Sequence, residues 1–158
     1  MIHSFKIRLI TEADHPLLRE VYVDAIESQC GDFYTTEQIQ AWTSLAWLPG
    51  ILDRVLFEGK GWLVSSRGEI EAFALRQPLN RLALLYSRGR SARRGFATAL
   101  LNKIEIEALK EGHPCLITEA SMCSQPLFLK CGWTVQSIET IKIGGVSFER
   151  YRMKKKLF

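Results

Sequence analysis

The segment Arg88–Ala97 combines residue types that can bind an anion. It follows an apolar, strand-like stretch at Leu82–Ser87 and leads directly into a pattern that predicts an amphipathic helix. The first amides of a helix lack intrahelical partners, and the helix dipole, Arg93 and Arg94 add positive charge there. Gly95 allows the backbone to approach a phosphate closely. The segment therefore predicts a pyrophosphate-binding turn; the alternative is a tight turn in which small residues only ease packing.

Three well-known motifs are absent from the sequence. It contains no G-x-x-x-x-G-K-S/T, and no G-x-G-x-x-G follows the first predicted strand, which disfavours P-loop nucleotide hydrolases and Rossmann dehydrogenases. It also lacks G-x-S-x-G, which disfavours an esterase.

The periodicity of the apolar residues predicts the elements that position this segment. Strands are predicted at residues 5–10, 61–66, 69–76, 82–87, 115–118, 133–141 and 146–153. Helices are predicted from Thr11 or Asp14, from Thr35 or Thr36, loosely after Pro49, at Gly95–Glu111 and at 125–131. A strand, a helix and the next strand within a largely antiparallel set predict a mixed sheet. The expected fold is α/β of the α+β type, with a mostly antiparallel seven-stranded sheet and helices on both faces.

The composition fits one globular domain over residues 1–158, with a hydrophobic fraction of 47% and a formal net charge of +4. No apolar stretch approaches the roughly 20 residues of a membrane helix, and the first ten residues lack the apolar region of a signal peptide. We therefore expect a cytoplasmic protein that does not bind membranes. The four cysteines and three histidines match no zinc spacing, so we expect reduced thiols and no metal.

Three segments, in the same order along the chain, resemble the GNAT superfamily of N-acetyltransferases. Ala92–Ala97 is similar to the family signature Q/R-x-x-G-x-G/A, except that Ala92 replaces the first Gln or Arg. Thr118–Ser121 followed by Pro126–Trp133 looks like the second signature, a Pro-aromatic-aromatic helix ending in Gly-Phe. Tyr34–Trp42 is similar to the Tyr-x-x-Glu-Gln-x-x-x-Trp segment of one bacterial branch. The resemblance implies a GNAT-like fold and transfer of acetyl from acetyl-CoA to a primary amine.

The resemblance also implies how acetyl-CoA binds. The strand edge before the turn would pair with the pantetheine amides, and the helix N-terminus would bind the pyrophosphate. The residues carried over are Leu85, Tyr86 and Ser87 on the strand, Arg93, Arg94, Gly95, Phe96, Ala97 and Thr98 at the pyrophosphate, Phe128 beside the thioester, and Lys130 toward the adenosine end.

The candidate catalytic groups match the family pattern less closely than the cofactor-binding segments do. Forming an amide from a thioester needs a neutral amine, stabilisation of the oxyanion and a proton for the departing thiolate. The family often supplies that proton from a Tyr of the second signature, where this chain has Phe128. Water is the expected source instead, with Ser124, one turn earlier, as a substitute. Glu119 is the expected base, acting through water; the alternative is a surface glutamate at a strand end.

The acceptor residues are expected on the first two helices. Tyr34, Gln38 and Trp42 share a face and would line the pocket, with core packing as the alternative for Trp42. Asp24 and Glu27 would favour a cationic amine, although a solvated helix face explains the same spacing. The expected acceptor is a small-molecule or peptide amine. The sequence leaves open whether the protein is a monomer or a homodimer.

Two other function classes compete with the transferase. A GNAT-fold module that binds acyl-CoA as a sensor or scaffold, with little catalysis, is compatible with Phe128. Nucleic-acid binding through Arg88–Arg94 would need more basic or aromatic interleaving than the sequence has. We therefore expect no nucleic-acid partner.

Overall fold

The computed structural model describes residues 4–158, whose strands form one mixed sheet with helices on both faces. The strands are β1 (Lys6–Leu9), β2 (Lys60–Ser66), β3 (Glu69–Arg76), β4 (Arg81–Ser87), β5 (Cys115–Ala120), β6 (Thr134–Ile143) and β7 (Val146–Lys156). The α-helices are α1 (His15–Gln29), α2 (Thr36–Ser44), α3 (Ile51–Glu58), α4 (Phe96–Lys110) and α5 (Gln125–Lys130), and single 3-10 turns lie at Glu12–Asp14 and Gly89–Ser91. The predicted seven-stranded fold is confirmed.

The sheet has the order β1-β2-β3-β4-β5-β7-β6. Neighbouring strands are antiparallel except β4 and β5, which are parallel. Parallel neighbours need a crossover connection, and α4 supplies it. The N-terminus of α4 consequently lies just beyond the end of β4, where the sequence predicts the anion-binding turn.

β4 and β5 separate almost as soon as they pair. The last paired residues are Leu82 and Thr118. On the other side of β4, the partners of the consecutive β3 residues Leu75 and Arg76 skip Ala83, which marks a bulge. A bulge bends its strand and leaves the extra residue outside the ladder. The remainder of β4 therefore presents an edge toward β5 that is free of strand pairing.

Two apolar layers hold the helices against the sheet. β3 contributes to both, because successive residues of a strand point to opposite faces. Phe73 and Leu75 belong to the layer that includes α1 and α3, and the smaller Ala72 and Ala74 belong to the layer of α4. The side chains of α4 in this second layer are fully buried at Leu100, Leu101 and Ile104. None of the helices in the described residues is long and apolar enough to cross a bilayer.

The helix ends follow local chemistry closely. Gly95 adopts the left-handed conformation (φ +82°) as the N-cap of α4, and Gly112 (φ +87°) follows its C-terminus. At the start of α2 the Thr35 hydroxyl accepts a hydrogen bond from Gln38 N at 3.1 Å, while Thr35 N donates to Gln38 Oε1 at 2.9 Å. This reciprocal capping box fixes the entry of the chain into α2.

The basic run near the chain end is part of the last strand of the sheet. Lys154, Lys155 and Lys156 lie within β7 and pair with β5. Lys155 Nζ lies 2.6 Å from Glu105 Oε1 and donates to the Cys131 carbonyl at 2.7 Å. A lysine stem can lie along the protein surface while its ammonium reaches a partner, which composition alone does not reveal.

The expectation of four reduced thiols is wrong for one pair. Cys30, the C-cap of α1, forms a disulfide with Cys123, which follows β5, and their Cα atoms are 5.7 Å apart. The two residues are separated by 93 positions in the chain, so only the packing of α1 against the β5–α5 loop brings them together. Cys115 and Cys131 are free and half-buried.

Candidate active site at the divergent strands

A cavity of about 520 Å³ opens where β4 and β5 diverge. We call it the first cavity. Its wall follows the chain almost continuously through Leu82–Ser87, Ser91–Arg93 and Gly95–Thr98, and β5 and α5 close the other side. Its long wall is therefore formed by the exposed strand edge and the N-terminus of α4, two sources of unpaired backbone groups.

The α4 end of this cavity suits an anion. No side chain caps α4, so the amides of Phe96, Ala97 and Thr98 in its first turn have no intrahelical partners. Arg93 also lines the cavity, and its guanidinium forms no ion pair with any residue of 4–158. Free amides, the helix dipole and an unpaired cation together favour the binding of an anion such as a phosphate group.

Arg94 does not take the place expected for it. Its amide donates to the Ser91 carbonyl at 3.2 Å, and its guanidinium lies 4.7 Å from the centre of the Phe96 ring. Arg94 is also not part of the cavity wall. The left-handed backbone at Arg93 (φ +67°) and Gly95 turns the chain so that the intervening residue faces away.

Hydrogen bonds to two carboxylates, Glu71 and Asp24, hold the loop before α4 in place. Glu71, 4% exposed, accepts hydrogen bonds from Arg90 and from the Ser91 hydroxyl. Burial alone would raise the pKa of Glu71, but these hydrogen bonds outweigh it and keep the pKa below its usual value. Asp24 Oδ1 accepts from Gly89 N at 2.8 Å, and a Cβ on Gly89 would lie 2.6 Å from Ser28 Cβ. The loop geometry is therefore fixed from outside the cavity.

A second cavity of about 570 Å³ lies between the sheet and the helices α1, α2 and α3, and β6 and β7 form its far side. We call it the second cavity. Most of its wall is aromatic or aliphatic. The residues that line both cavities are Trp42, Ala83, Leu84, Tyr86, Glu119 and Ser121. A molecule in one cavity can thus meet a molecule in the other at this shared wall.

Aromatic rings pack closely at the shared wall. The ring centres of Tyr34 and Trp42 are 5.4 Å apart, and those of Tyr22 and Tyr86 are 4.8 Å apart. Burial raises the pKa of all three tyrosines, so their hydroxyls stay protonated at neutral pH. Tyr34 Oη accepts a hydrogen bond from Met122 N at 2.9 Å, which ties the start of α2 to the loop after β5.

Glu119 is the one carboxylate that lines both cavities within residues 4–158. Both of its oxygens lie 3.0 Å from Arg81 Nε, and Arg150 Nη2 lies 3.9 Å from Oε1. Arg150 is itself bound to Glu139 at 2.6 Å. A carboxylate has about four acceptor positions, so Glu119 can still accept a hydrogen bond from a ligand.

Other expected residues lie on the α5 side of the first cavity. Phe128 is 2% exposed and packs edge-on against Trp133 while it also contributes to the cavity wall. Lys130 lines the same cavity. Ser124 lines it too, but its hydroxyl is engaged with Ser121, accepting from Ser121 N at 3.0 Å.

Three expected acceptor residues line neither cavity. Glu27 is exposed on α1, and the Asp24 carboxylate is occupied by Gly89. Gln38 serves the cap of α2 and donates through Nε2 to the Ser147 carbonyl at 2.9 Å. Tyr34 and Trp42 do line the second cavity. The predicted helix face is thus divided between a structural residue and two cavity residues.

Sequence reasoning missed the partners that complete the site. Arg81 opens β4, and Arg150 lies on β7, so both reach Glu119 only through the β4–β5–β7 order of the sheet. The bulge at Ala83 has no residue signature, because alanine occurs in regular strands too. The apolar run Leu82–Leu85 shows no break in its pattern, and only the observed register reveals the bulge.

Comparison with known proteins supports the fold. No family model matches the chain, and no curated protein matches it either. A solved GCN5-related N-acetyltransferase of Rhodopseudomonas palustris is 24% identical, with a TM-score of 0.92 over 99% of this chain and 98% of that one. The PaiA N-acetyltransferase of Thermoplasma acidophilum in complex with coenzyme A is 18% identical, with a TM-score of 0.78 over 97% and 99%.

A third structure, YncA of Salmonella typhimurium with its cofactor acetyl-CoA, is 17% identical, with a TM-score of 0.66 over 98% of this chain and 95% of that one. The bacterial branch suggested by the segment Tyr34–Trp42 is not distinguished by these matches and stays a prediction. The similarity covers nearly the whole of each chain, and the chain has the fold of the GCN5-related N-acetyltransferases, the GNAT fold.

Proposed function

We propose that the protein is an N-acetyltransferase that moves the acetyl group of acetyl-CoA to a primary amine in a ternary complex. The observation that carries the proposal is the shared wall between the two cavities. One cavity offers unpaired backbone and positive charge, the other an apolar chamber, and they meet at Ala83, Tyr86 and Glu119. Direct attack requires two substrates in contact, and this arrangement provides the contact.

The first cavity fits acetyl-CoA, which supplies an activated acyl group as a thioester. The edge of β4 at Leu85, Tyr86 and Ser87 has no β5 partner and can pair with the pantetheine amides. The α4 amides from Gly95 to Thr98, with Arg93, bind the pyrophosphate. Lys130 binds toward the adenosine end, and Phe128 packs beside the acyl group. The fit rests on backbone groups without strand or helix partners. Along the cavity, the edge of β4 comes first and the N-terminus of α4 second, which matches the order of the pantetheine amides and the pyrophosphate in the cofactor.

The shared wall carries the chemistry. The β4 backbone at the bulge, where Ala83 and Leu84 line both cavities, supplies an amide that donates to the oxygen that becomes negative as the amine attacks. Glu119 accepts a hydrogen bond from the amine and relays its proton through water. The N–C bond forms, the C–S bond breaks, and water returns a proton to the sulfur. Because a thiolate is a good leaving group, no tyrosine is needed at Phe128.

Two measurements test this function. Saturating acetyl-CoA should raise the melting temperature by roughly 5 to 10 °C, because binding at about 100 times Kd stabilises a protein by about 2.7 kcal/mol. Release of free CoA thiol should then depend on added amine across a panel of alkylamines, arylalkylamines, amino acids and polyamines. If acetyl-CoA binds but no amine of the panel causes release of CoA thiol, the result contradicts the transferase and leaves only a binding module.

A further inference from the structure

Most residues in the wall of the second cavity are aromatic or aliphatic, and from this wall we infer the chemical class of the acceptor amine. We propose that the acceptor is a primary amine on an aromatic or extended aliphatic group, an inference that rests on the proposed transferase function. The aromatic wall residues are Tyr22, Tyr34, Trp42, Tyr86 and Phe148. The aliphatic ones are Leu45, Ile51, Leu52, Val55, Ala83, Leu84, Ile141 and Ile143.

The tyrosine hydroxyls add little polarity to this wall, because protein groups already bind those of Tyr22 and Tyr34. Tyr22 Oη donates to the Trp42 carbonyl at 3.1 Å, and Tyr34 Oη accepts from Met122 N at 2.9 Å. The Tyr86 ring packs edge-on near the Trp42 ring, with their centres 6.5 Å apart. What these rings offer a ligand is therefore mainly apolar surface, which favours an apolar or aromatic body.

The charges of the second cavity argue against a multiply charged amine. Its basic lining residues are Arg81, Lys142 and Arg150, whereas its acidic ones are Glu119 and Glu149. Glu119 is already held by Arg81. A polyamine or an aminosugar would meet more positive than negative charge, and beyond Glu119 only the exposed Glu149 would remain for its further ammonium groups. One amine at Glu119, with the rest of the molecule apolar, matches the available partners.

The apolar surface continues to the opening. Ile51 lines the cavity and is 77% exposed, and the half-buried Ile141 and Ile143 line it from the edge strand β6. The volume of about 570 Å³ lies within the usual range of small-molecule sites and exceeds what a short amine alone would fill. An amine with a ring or a long chain would bury this apolar surface, whereas a small polar amine would leave it exposed to water.

A homologous series of n-alkylamines and phenylalkylamines, compared with polyamines, lysine and an aminosugar, tests the class. Release of CoA thiol at saturating acetyl-CoA should show kcat/KM rising about fourfold for each added methylene until the cavity is full. A flat series, or turnover of the polar amines alone, overturns the acceptor class and leaves the transferase standing. No turnover with any amine overturns the proposed function and this inference together.

A matched pair of variants locates the effect. Ile141→Glu places a charge on the second-cavity wall, whereas Ile138→Glu places it on the same strand outside both cavities, where Ile138 is 60% exposed. Ile141→Glu should raise the KM of the best apolar amine at least tenfold and leave the KM of acetyl-CoA unchanged; Ile138→Glu should change neither. If Ile141→Glu does not fold, Ile143→Glu at the strand end replaces it. An unchanged amine KM in a folded cavity variant overturns the proposal.

Discussion

The two cavities differ in how the chain builds them. One long wall of the first cavity comes from a single stretch of the chain between Leu82 and Thr98, whereas the second cavity is lined by residues from many separate elements and their loops. The turn before α4 needs a glycine at a positive φ and carries basic residues next to it, so a contiguous segment of this kind leaves a short motif in the sequence. A cavity lined by separate elements leaves none. This difference explains why residues of the first cavity could be predicted from a local segment, whereas most residues of the second could not.

The largest expected effect comes from closing the backbone site. Gly95→Glu should weaken acetyl-CoA binding at least 100-fold, because a carboxylate would stand against the pyrophosphate at the N-terminus of α4. Isothermal titration with acetyl-CoA measures it.

Gly112→Glu is the matched control for that variant. Gly112, at the other end of α4, also has a positive φ, and a Cβ added at either glycine would meet only open space. Both variants should lose about 1 to 2 kcal/mol of folding free energy from the left-handed backbone. Normal acetyl-CoA binding in folded Gly95→Glu would remove the pyrophosphate from this turn.

The next effect concerns the carboxylate at the shared wall. Glu119→Gln should lower kcat roughly 100-fold, because positioned acid–base groups contribute about that much. The KM of acetyl-CoA should stay constant. Glu27→Gln, on the exposed part of α1, should leave kcat and both KM values unchanged. Steady-state kinetics measure kcat and KM for both variants. Equal activity of the Glu119 variant and the wild type would show that Glu119 is only a structural ion-pair partner of Arg81.

A stability effect of about 1 to 3 kcal/mol is expected from the support of the first cavity. Glu71→Gln removes a buried negative charge and one of the two oxygens that accept from Arg90 and Ser91, whereas Glu69→Gln removes the charge of an exposed Arg90 partner and should cost less than about 0.5 kcal/mol. Urea denaturation measures both.

The same variant carries a pH dependence. The pKa of Glu71 is lower in the folded protein than in the unfolded chain, so its contribution is present above the unfolded pKa of about 4.3. It is lost as the pH falls through the lower folded pKa. The stability difference between wild type and Glu71→Gln should therefore be constant at neutral pH and shrink below about pH 4. A difference that grows with acid would contradict the assigned hydrogen bonds.

The smallest effect is expected at Ser124, the substitute candidate for the proton donor. Ser124→Ala should change kcat by less than about twofold, because water protonates the thiolate and the Ser124 hydroxyl already bonds with Ser121. Phe128→Tyr should change kcat little for the same reason. A 100-fold loss in Ser124→Ala with normal acetyl-CoA affinity would instead make Ser124 the acid.

Much of the fold follows from local pattern. α4 is expected at Gly95–Glu111 and spans Phe96–Lys110, since its apolar stripe and its flanking glycines act within a few residues. The basic run Lys154–Lys156 escapes such reasoning because its partner strand lies far away in the chain. The site divides in the same way: the predicted residues of β4 and of the turn after it line the first cavity apart from Arg94, while Asp24, Glu27 and Gln38 line neither cavity.

The sequence by itself determined the elements, their order and the tight turn before α4, because helix periodicity, strand alternation and glycine conformation are set by neighbouring residues. The tertiary structure alone decided the bulge at Ala83, the Cys30–Cys123 disulfide and the ion pairs of Arg81 and Arg150 with Glu119. Each of these depends on which strands become neighbours and in what register. That choice is made by burying both faces of the whole sheet at once, so no single segment encodes it.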